Sequence, residues 1–275
     1  MRTLIALLVF AVFGTFVPDS LAAEPIIGEL VPVVTGDGPD SGAKQPQATV
    51  DDQGRIFIVF GRGNEVRLAT STDEGKTFKA TSVAKVGSLA LGMRRGPRIA
   101  TTSEAVVVTA IGGNEGKGRD GDLLAWRSAD AGGTWTGPSR INAVEGSARE
   151  GLHGMAAGPN GLVYCAWLDL RNKRTEIHGA RSKDGGLTWE KDSLVYRSPE
   201  KSVCECCHPS VTFAPDGTLY VMWRNQLRGA RDLYLVRSLD GGKSFEEAEK
   251  LGTGTWSLNA CPMDGGAVAA GSNGQ

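Results

Sequence analysis

Short runs in which apolar and polar residues alternate recur along the chain and predict β-strands, and hardly any stretch repeats with helical spacing. The clearest set is Ser210-Val-Thr-Phe213, then Leu219-Tyr-Val-Met-Trp223, then Asp232-Leu-Tyr-Leu-Val-Arg237. The turn Ala214-Pro-Asp-Gly217 parts the first two runs, as Pro and Gly at those places require. An earlier set has the same order: the turn Ala157-Gly-Pro-Asn-Gly161, a run over 162–167 and another over 175–181. Before that come Asp51-Asp-Gln-Gly54, a run over 56–60 and one over 66–70. A looser set has Glu104 at the turn and a strand over 105–109. Each set ends in a turn and a fourth, weaker strand.

The turn that follows each third strand has a fixed form. It reads Ser71-Thr-Asp-Glu-Gly-Lys-Thr-Phe78, Ser128-Ala-Asp-Ala-Gly-Gly-Thr-Trp135, Ser182-Lys-Asp-Gly-Gly-Leu-Thr-Trp189 and Ser238-Leu-Asp-Gly-Gly-Lys-Ser-Phe245. The starts are 57, 54 and 56 residues apart. A period of about 55 is one supersecondary unit repeated, and four short strands per unit predict a β-propeller. Asp73, Asp130, Asp184 and Asp240 are read as structural: a carboxylate at the third position accepts backbone N–H bonds, and Gly at the fifth permits positive φ.

These segments resemble the Asp-box, or BNR repeat, of sialidases and related propellers. Units two and three match Ser-x-Asp-x-Gly-x-Thr-Trp in full. Phe78 and Phe245 replace Trp in the other two, and Ser244 replaces Thr. The resemblance covers about residues 48–251 and implies an all-β propeller of four-stranded blades, six-bladed when complete. A fifth unit starts at Cys261-Pro-Met-Asp-Gly-Gly266 and reaches a turn at Ser272-Asn-Gly274, so the chain reads as a fragment of that ring. A strand over 26–34 is expected to complete the last blade of the full ring.

Composition and ends set the context. Arg2 precedes an apolar run over 4–17, and small residues follow at 20–23. This is the pattern of a signal peptide, 1–23, leaving 24–275 as the mature propeller domain. The run is too short to span a bilayer, and the mature chain holds no other candidate. A secreted or periplasmic protein is expected. Lys and Arg number 30 against 31 Asp and Glu, a net charge of −1, which gives no footing to a nucleic-acid partner. A glycan or an extracytoplasmic protein is the expected partner, and the chain is expected to be a monomer.

The sialidase resemblance implies three clustered arginines that hold a sugar carboxylate, with a Tyr-Glu nucleophilic pair and an Asp acid/base that cleave the glycosidic bond. The Arg-Ile-Pro signature before the first repeat is replaced by Gln45-Pro-Gln47, and Gly96-Pro-Arg98-Ile99 echoes it one unit later. Candidate catalytic or substrate-contacting residues are therefore Arg98, Asp169, Arg171 and Arg224. Asp169 and Arg171 follow the second strand of unit three, and Arg224 takes the corresponding place in unit four. Trp167 and Trp223 close those strands and, with His153 and His208 at the starts of inner strands, are candidates to line the pocket. The bland alternative makes the tryptophans blade-interface fillers and the histidines hydrogen-bonded structural groups. Glu150 and Glu205 carry suitable carboxylates but have no partner that the sequence identifies.

The stretch Ser202-Val-Cys-Glu-Cys-Cys-His-Pro-Ser210 holds three of the five cysteines. Aligning turn glycines Gly217 and Gly274 puts Cys204 at the level of Cys261 in the next unit. Four readings stand: a disulfide from Cys204, Cys206 or Cys207 to Cys261; a copper or zinc site that adds His208 or Met263; a reactive cysteine; and reduced buried thiols. Export favours the disulfide, and the nucleophile lacks a Cys-x-x-Cys at a helix start. No cofactor is expected apart from copper or zinc at this cluster. Cys165 lies in an apolar strand and reads as an inert core thiol. The exported protein is thus expected to be sialidase-like, a glycoside hydrolase of acidic glycans. The alternatives are a non-catalytic binding propeller and a cysteine-centred metal-binding one.

Overall fold

A computed structural model describes residues 28–35, 38, 41–200 and 202–271. The expected signal peptide and the turn at 272–274 lie outside them. Among the described residues the regular structure lies in the unit Val31–Gln275; of the N-terminal unit only 28–30 are described. The strand expected over 26–34 is not formed in its described part, 28–34.

Among the described residues all regular elements are strands, in four antiparallel sheets. The first holds β1 (Lys44–Val50), β2 (Ile56–Arg62), β3 (Glu65–Ser71) and β4 (Lys79–Lys85), paired in that order. The second holds β5 (Ser88–Leu89), β6 (Arg98–Thr101), β7 (Val106–Gly113), β8 (Asp122–Ser128) and β9 (Thr136–Arg140). The third is β10 (His153–Ala157), β11 (Val163–Asp169), β12 (Glu176–Ser182) and β13 (Ser193–Tyr196). The fourth is β14 (Ser210–Phe213), β15 (Leu219–Arg224), β16 (Leu233–Ser238) and β17 (Glu249–Lys250). Neighbouring sheets meet along their first strands, β1 with β6, β6 with β10 and β10 with β14, which is blade packing.

The second blade departs from the simple repeat. The strand expected over 105–109 runs on to Gly113, and its inner edge is shared. β6 pairs with its first half, Arg98 opposite Thr109, and β5 with its end, Leu89 opposite Gly112. Between β5 and β6 the chain leaves the sheet as a loop over 90–97.

Apolar faces of adjacent blades form three cores. Phe57, Leu68, Val108 and Trp126 join blades one and two; Leu123, Cys165 and Trp167 join two and three; Leu152, Tyr164, Leu219 and Trp223 join three and four. The eighth-position aromatics Trp135, Trp189 and Phe245 pack against these cores.

The four repeat turns share one hydrogen-bond pattern. In the second, Ser128 Oγ donates to Asp130 at 2.7 Å and accepts from the Gly132 N–H at 2.7 Å. Thr134 donates its N–H and its hydroxyl to the two carboxylate oxygens, each at 2.8 Å. Asp73, Asp184 and Asp240 hold the same set of partners. The turn also staples blade to blade. Gly186 has φ +83°, and a Cβ there would lie 2.8 Å from Val107 of the preceding blade. Gly132 faces Leu68, and Gly242 faces Tyr164, in the same way.

Strand direction alternates within each blade, so connections alternate between two ends. The repeat turns and the first-to-second-strand turns share one end. The blade-to-blade crossings and the second-to-third-strand loops share the other, and all the candidate chemistry is there.

Candidate functional site at the blade mouth

Two cavities open at that end. One of about 420 Å³ is lined by Gln45, Gln47, Arg94, Arg98, Met155 and His208, among others. The other, about 650 Å³, is lined by Arg95, Lys117, Asp120, Arg149 and Glu150. The loop over 90–97 separates them. Its turn Gly92-Met-Arg-Arg95 closes with Arg95 N–H donating to the Gly92 carbonyl at 2.9 Å. Arg94 therefore serves one cavity and Arg95 the other.

Arg98 starts β6 at the wall of the smaller cavity. Its guanidinium donates to the carbonyls of Gly96 and Pro97 at 3.1 Å and of Arg94 at 2.8 Å. Those bonds hold the loop and aim the group. Burial, then the Arg94 charge, lower its pKa to about 10, so it remains cationic at neutral pH. Arg94 is more open and meets Asp264 at 3.8 Å. His208 adds a ring kept neutral, with its pKa lowered to about 4 by burial and then by the Arg98 charge. Its Nδ1 has no partner. His153 is fully buried beneath this wall, with Nε2 3.0 Å from the Thr109 hydroxyl. Burial above all, then Arg98, keeps it neutral as well.

In the larger cavity burial raises the pKa of Glu150, and the Glu205 charge raises it further against the opposing pull of Arg95. Arg95 Nε donates to the Glu150 carbonyl at 2.6 Å, and its guanidinium is 3.9 Å from the carboxylate. Glu205 itself is exposed and lines neither cavity; its charge alone reaches Glu150.

Asp169 and Arg171 are taken up by the protein itself. The Asp169 carboxylate has no exposed surface and accepts from Arg171 Nε at 2.8 Å, Ser147 Oγ at 2.7 Å and Trp167 Nε1 at 2.9 Å. Burial alone would raise its pKa; the bonds from Arg171, Ser147 and Trp167 outweigh that and hold it low. Arg171 also bonds both oxygens of Asp192. Asp169, His178 and Asp192 converge closely enough for a metal, but the Arg171 guanidinium bonds both of these carboxylates and supplies the cation.

Trp167 and Trp223 have no exposed surface and fill blade interfaces, away from either cavity wall. Arg224 anchors the segment after the fourth blade. Its Nε donates to the Asp264 carbonyl at 2.9 Å, and its guanidinium lies 5.1 Å from the centre of the Trp256 ring.

Cys206 is joined to Cys261, with Cα atoms 6.5 Å apart. Cys204 and Cys207 are free thiols with no exposed surface, and their Sγ atoms are 3.0 Å apart. The neighbouring Cys207 thiol, the Cys206 N–H and the charges of Arg231 and Arg224 lower the Cys204 pKa to about 6 despite burial. Cys207 is pushed up, first by its bond to Cys204 and then by burial. Cys165, in β11, is fully buried, which raises its pKa.

Sequence alone did not single out Arg94, Arg95 or the reach of the Glu205 charge to Glu150 as parts of the site. The signal for the first two was Gly92-Met-Arg-Arg-Gly96, two glycines bracketing adjacent cations. Nothing local signalled the third, since 55 residues separate the two glutamates.

Known structures share this fold. A protein of unknown function from Dyadobacter fermentans is 21% identical, over 77% of this chain and 70% of its own, with a TM-score of 0.53. A Penicillium chrysogenum alpha-L-arabinanase complexed with arabinobiose is 16% identical, over 79% and 69%, at 0.54. An alpha-L-arabinofuranosidase from Fusarium graminearum, in complex with an iminosugar inhibitor, is 13% identical, over 78% and 68%, at 0.51. At these identities the likeness speaks for the fold. No curated protein sequence matches. The family model for the BNR repeat-like domain matches residues 94–273, well over half the chain. The chain belongs to the BNR repeat-like domain family.

Proposed function

We propose that this protein is exported and acts on acidic glycans at the blade mouth as a glycoside hydrolase. The observation that carries the reading is the pair Arg94 and Arg98 on one cavity wall, beside a loop whose other side presents Glu150. Two cationic forks suit a sugar carboxylate, which accepts two parallel N–H bonds from one guanidinium. Glu150, with its pKa raised, is the group to protonate the leaving oxygen of a glycan that reaches across the loop from one cavity into the other. Export is supported by the signal-peptide pattern and the disulfide. Among the described residues no helix is long and apolar enough to cross a membrane.

The test is turnover of fluorogenic sialosides and uronides by the full chain, with Arg98→Ala and Glu150→Gln beside it. Arg98→Ala should raise KM on acidic substrates, and Glu150→Gln should lower kcat with binding retained. In a non-catalytic variant of this reading Arg94 and Arg98 hold the sugar carboxylate without cleavage. Calorimetric binding of an acidic disaccharide without turnover, lost in Arg98→Ala, would establish that variant. Absence of both binding and turnover would overturn the reading.

A further inference from the structure

Five sulfur atoms gather beside the mouth, and the sugar reading uses none of them. Cys206 Sγ lies 3.6 Å from Cys204 Sγ and 3.9 Å from Cys207 Sγ. Cys261 Sγ lies 3.2 Å from Met263 Sδ. The disulfide from Cys206 to Cys261 uses two of the sulfurs and leaves Cys204 and Cys207 as a thiol pair.

The backbone prepares that pair. Cys204 N–H donates to the Arg224 carbonyl at 3.0 Å, at the end of β15. Val203 forms a β-bridge with Asn225, and Cys207 N–H closes the turn onto the Cys204 carbonyl at 3.4 Å. The disulfide fastens the middle of the same turn from outside. Both thiols have no exposed surface, so water does not compete for them. A structural pair of this size would be as well served by apolar side chains; two converging thiols in a fixed turn are a ligand set.

The donor chemistry selects the ion. The three sulfurs around this turn come together without a carboxylate or an imidazole in their group. Hard cations need oxygen donors, and Zn(II) needs four donors of which the disulfide withholds two. Soft thiolates favour Cu(I), which tolerates low coordination. We propose that Cys204 and Cys207 bind one Cu(I) as a two-coordinate dithiolate, their Sγ atoms parting from 3.0 Å to admit the ion between them, with the Cys206–Cys261 disulfide intact as the scaffold. Binding forms two Cu–S bonds and displaces the protons the two sulfurs carry, chiefly that of Cys207. The complex carries one net negative charge, and Arg231 and Arg224 lie close enough to Cys204 to offset it. No electron is transferred.

The experiment begins with a thiol count on the denatured, disulfide-intact protein. Three thiols are expected, Cys165, Cys204 and Cys207. A count of one would mean a Cys204–Cys207 disulfide and would overturn the proposal. Anaerobic titration of Cu(I) against a chromophoric Cu(I) chelator should then show one tightly held equivalent. Cys204→Ser and Cys207→Ser should each lose it. Cys165→Ser should keep it, and the double variant Cys206→Ser with Cys261→Ser should still bind one equivalent, more weakly for want of the scaffold. In wild-type protein, at a denaturant concentration where Cys204 and Cys207 alkylate without metal, Cu(I) should slow their alkylation, read by mass spectrometry, so the proposal stands or falls even if a serine variant fails to fold. No bound equivalent, retention in Cys204→Ser, or equal affinity for Zn(II) would overturn it.

Discussion

Single side chains at the mouth divide into those that face a cavity and those that bind the protein to itself. Arg171 is of the second kind. It lies between Asp169 and Asp192, whose side chains are almost wholly buried. Removing it leaves two buried carboxylates without a counter-charge, and breaking a buried pair costs about 3–5 kcal/mol. Arg171→Ala should lower stability by roughly that amount in urea unfolding. A loss near zero would mean that water reaches the carboxylates. The sequence showed Trp167-Leu-Asp-Leu-Arg171 as a recurrent strand end and could not show Asp192, which approaches from the chain before β13. A charged strand end reads alike whether its partner is a ligand or a residue twenty positions on. That is why Arg171 stood beside Arg98 as a candidate until the structure separated them.

At the scale of the element, the repeat turn is the part of the chain whose sequence says most. Its Ser, Asp, Gly and Thr each have a bond or a backbone angle to satisfy, and all four copies satisfy them alike. Gly186→Ala tests the staple: left-handed φ costs about 1–2 kcal/mol, and overpacking against Val107 about 1–3 kcal/mol more. The variant should lose roughly 2–5 kcal/mol, measured by thermal unfolding. The carboxylates test the turn by pH. Hydrogen bonds from Thr77 and Ser71 hold Asp73, and those from Thr134 and Ser128 hold Asp130, at about 2 against an ordinary 3.8. A folded value below the unfolded one adds stability above the unfolded pKa and loses it as pH falls through the folded one. Tm should therefore drop between about pH 4 and pH 2, and Asp73→Asn with Asp130→Asn should flatten that slope. Elements without such chemistry were less legible. β5 is two residues long, too short for any period, so the divided edge of the second blade and the loop bearing Arg94 could not be read.

The whole molecule repeats one contact scheme, and the repeat made a distant contact readable. Aligning the units put Cys261 level with Cys204; the structure joins it to Cys206, because side chains around a turn point different ways and alignment resolves only the level. The bridge spans 55 residues. Cys206→Ser with Cys261→Ser should cost about 2–4 kcal/mol, read as a lower denaturant midpoint, with the blades retained.

The bridge also fastens residues 261–271, which have no strand pairing of their own. Asp264 faces Arg94 there, and Ala267 helps line the smaller cavity. Beyond the bridge, this strap is held by Arg224 at the Asp264 carbonyl and by Val268 N–H donating to Ser210 Oγ at 3.1 Å. The compartment of production thus decides which mouth a biochemist assays. Material from a reducing cytosol carries the strap unfastened, whereas exported or reoxidised material carries it closed, and a glycan array run on the two preparations should give different answers.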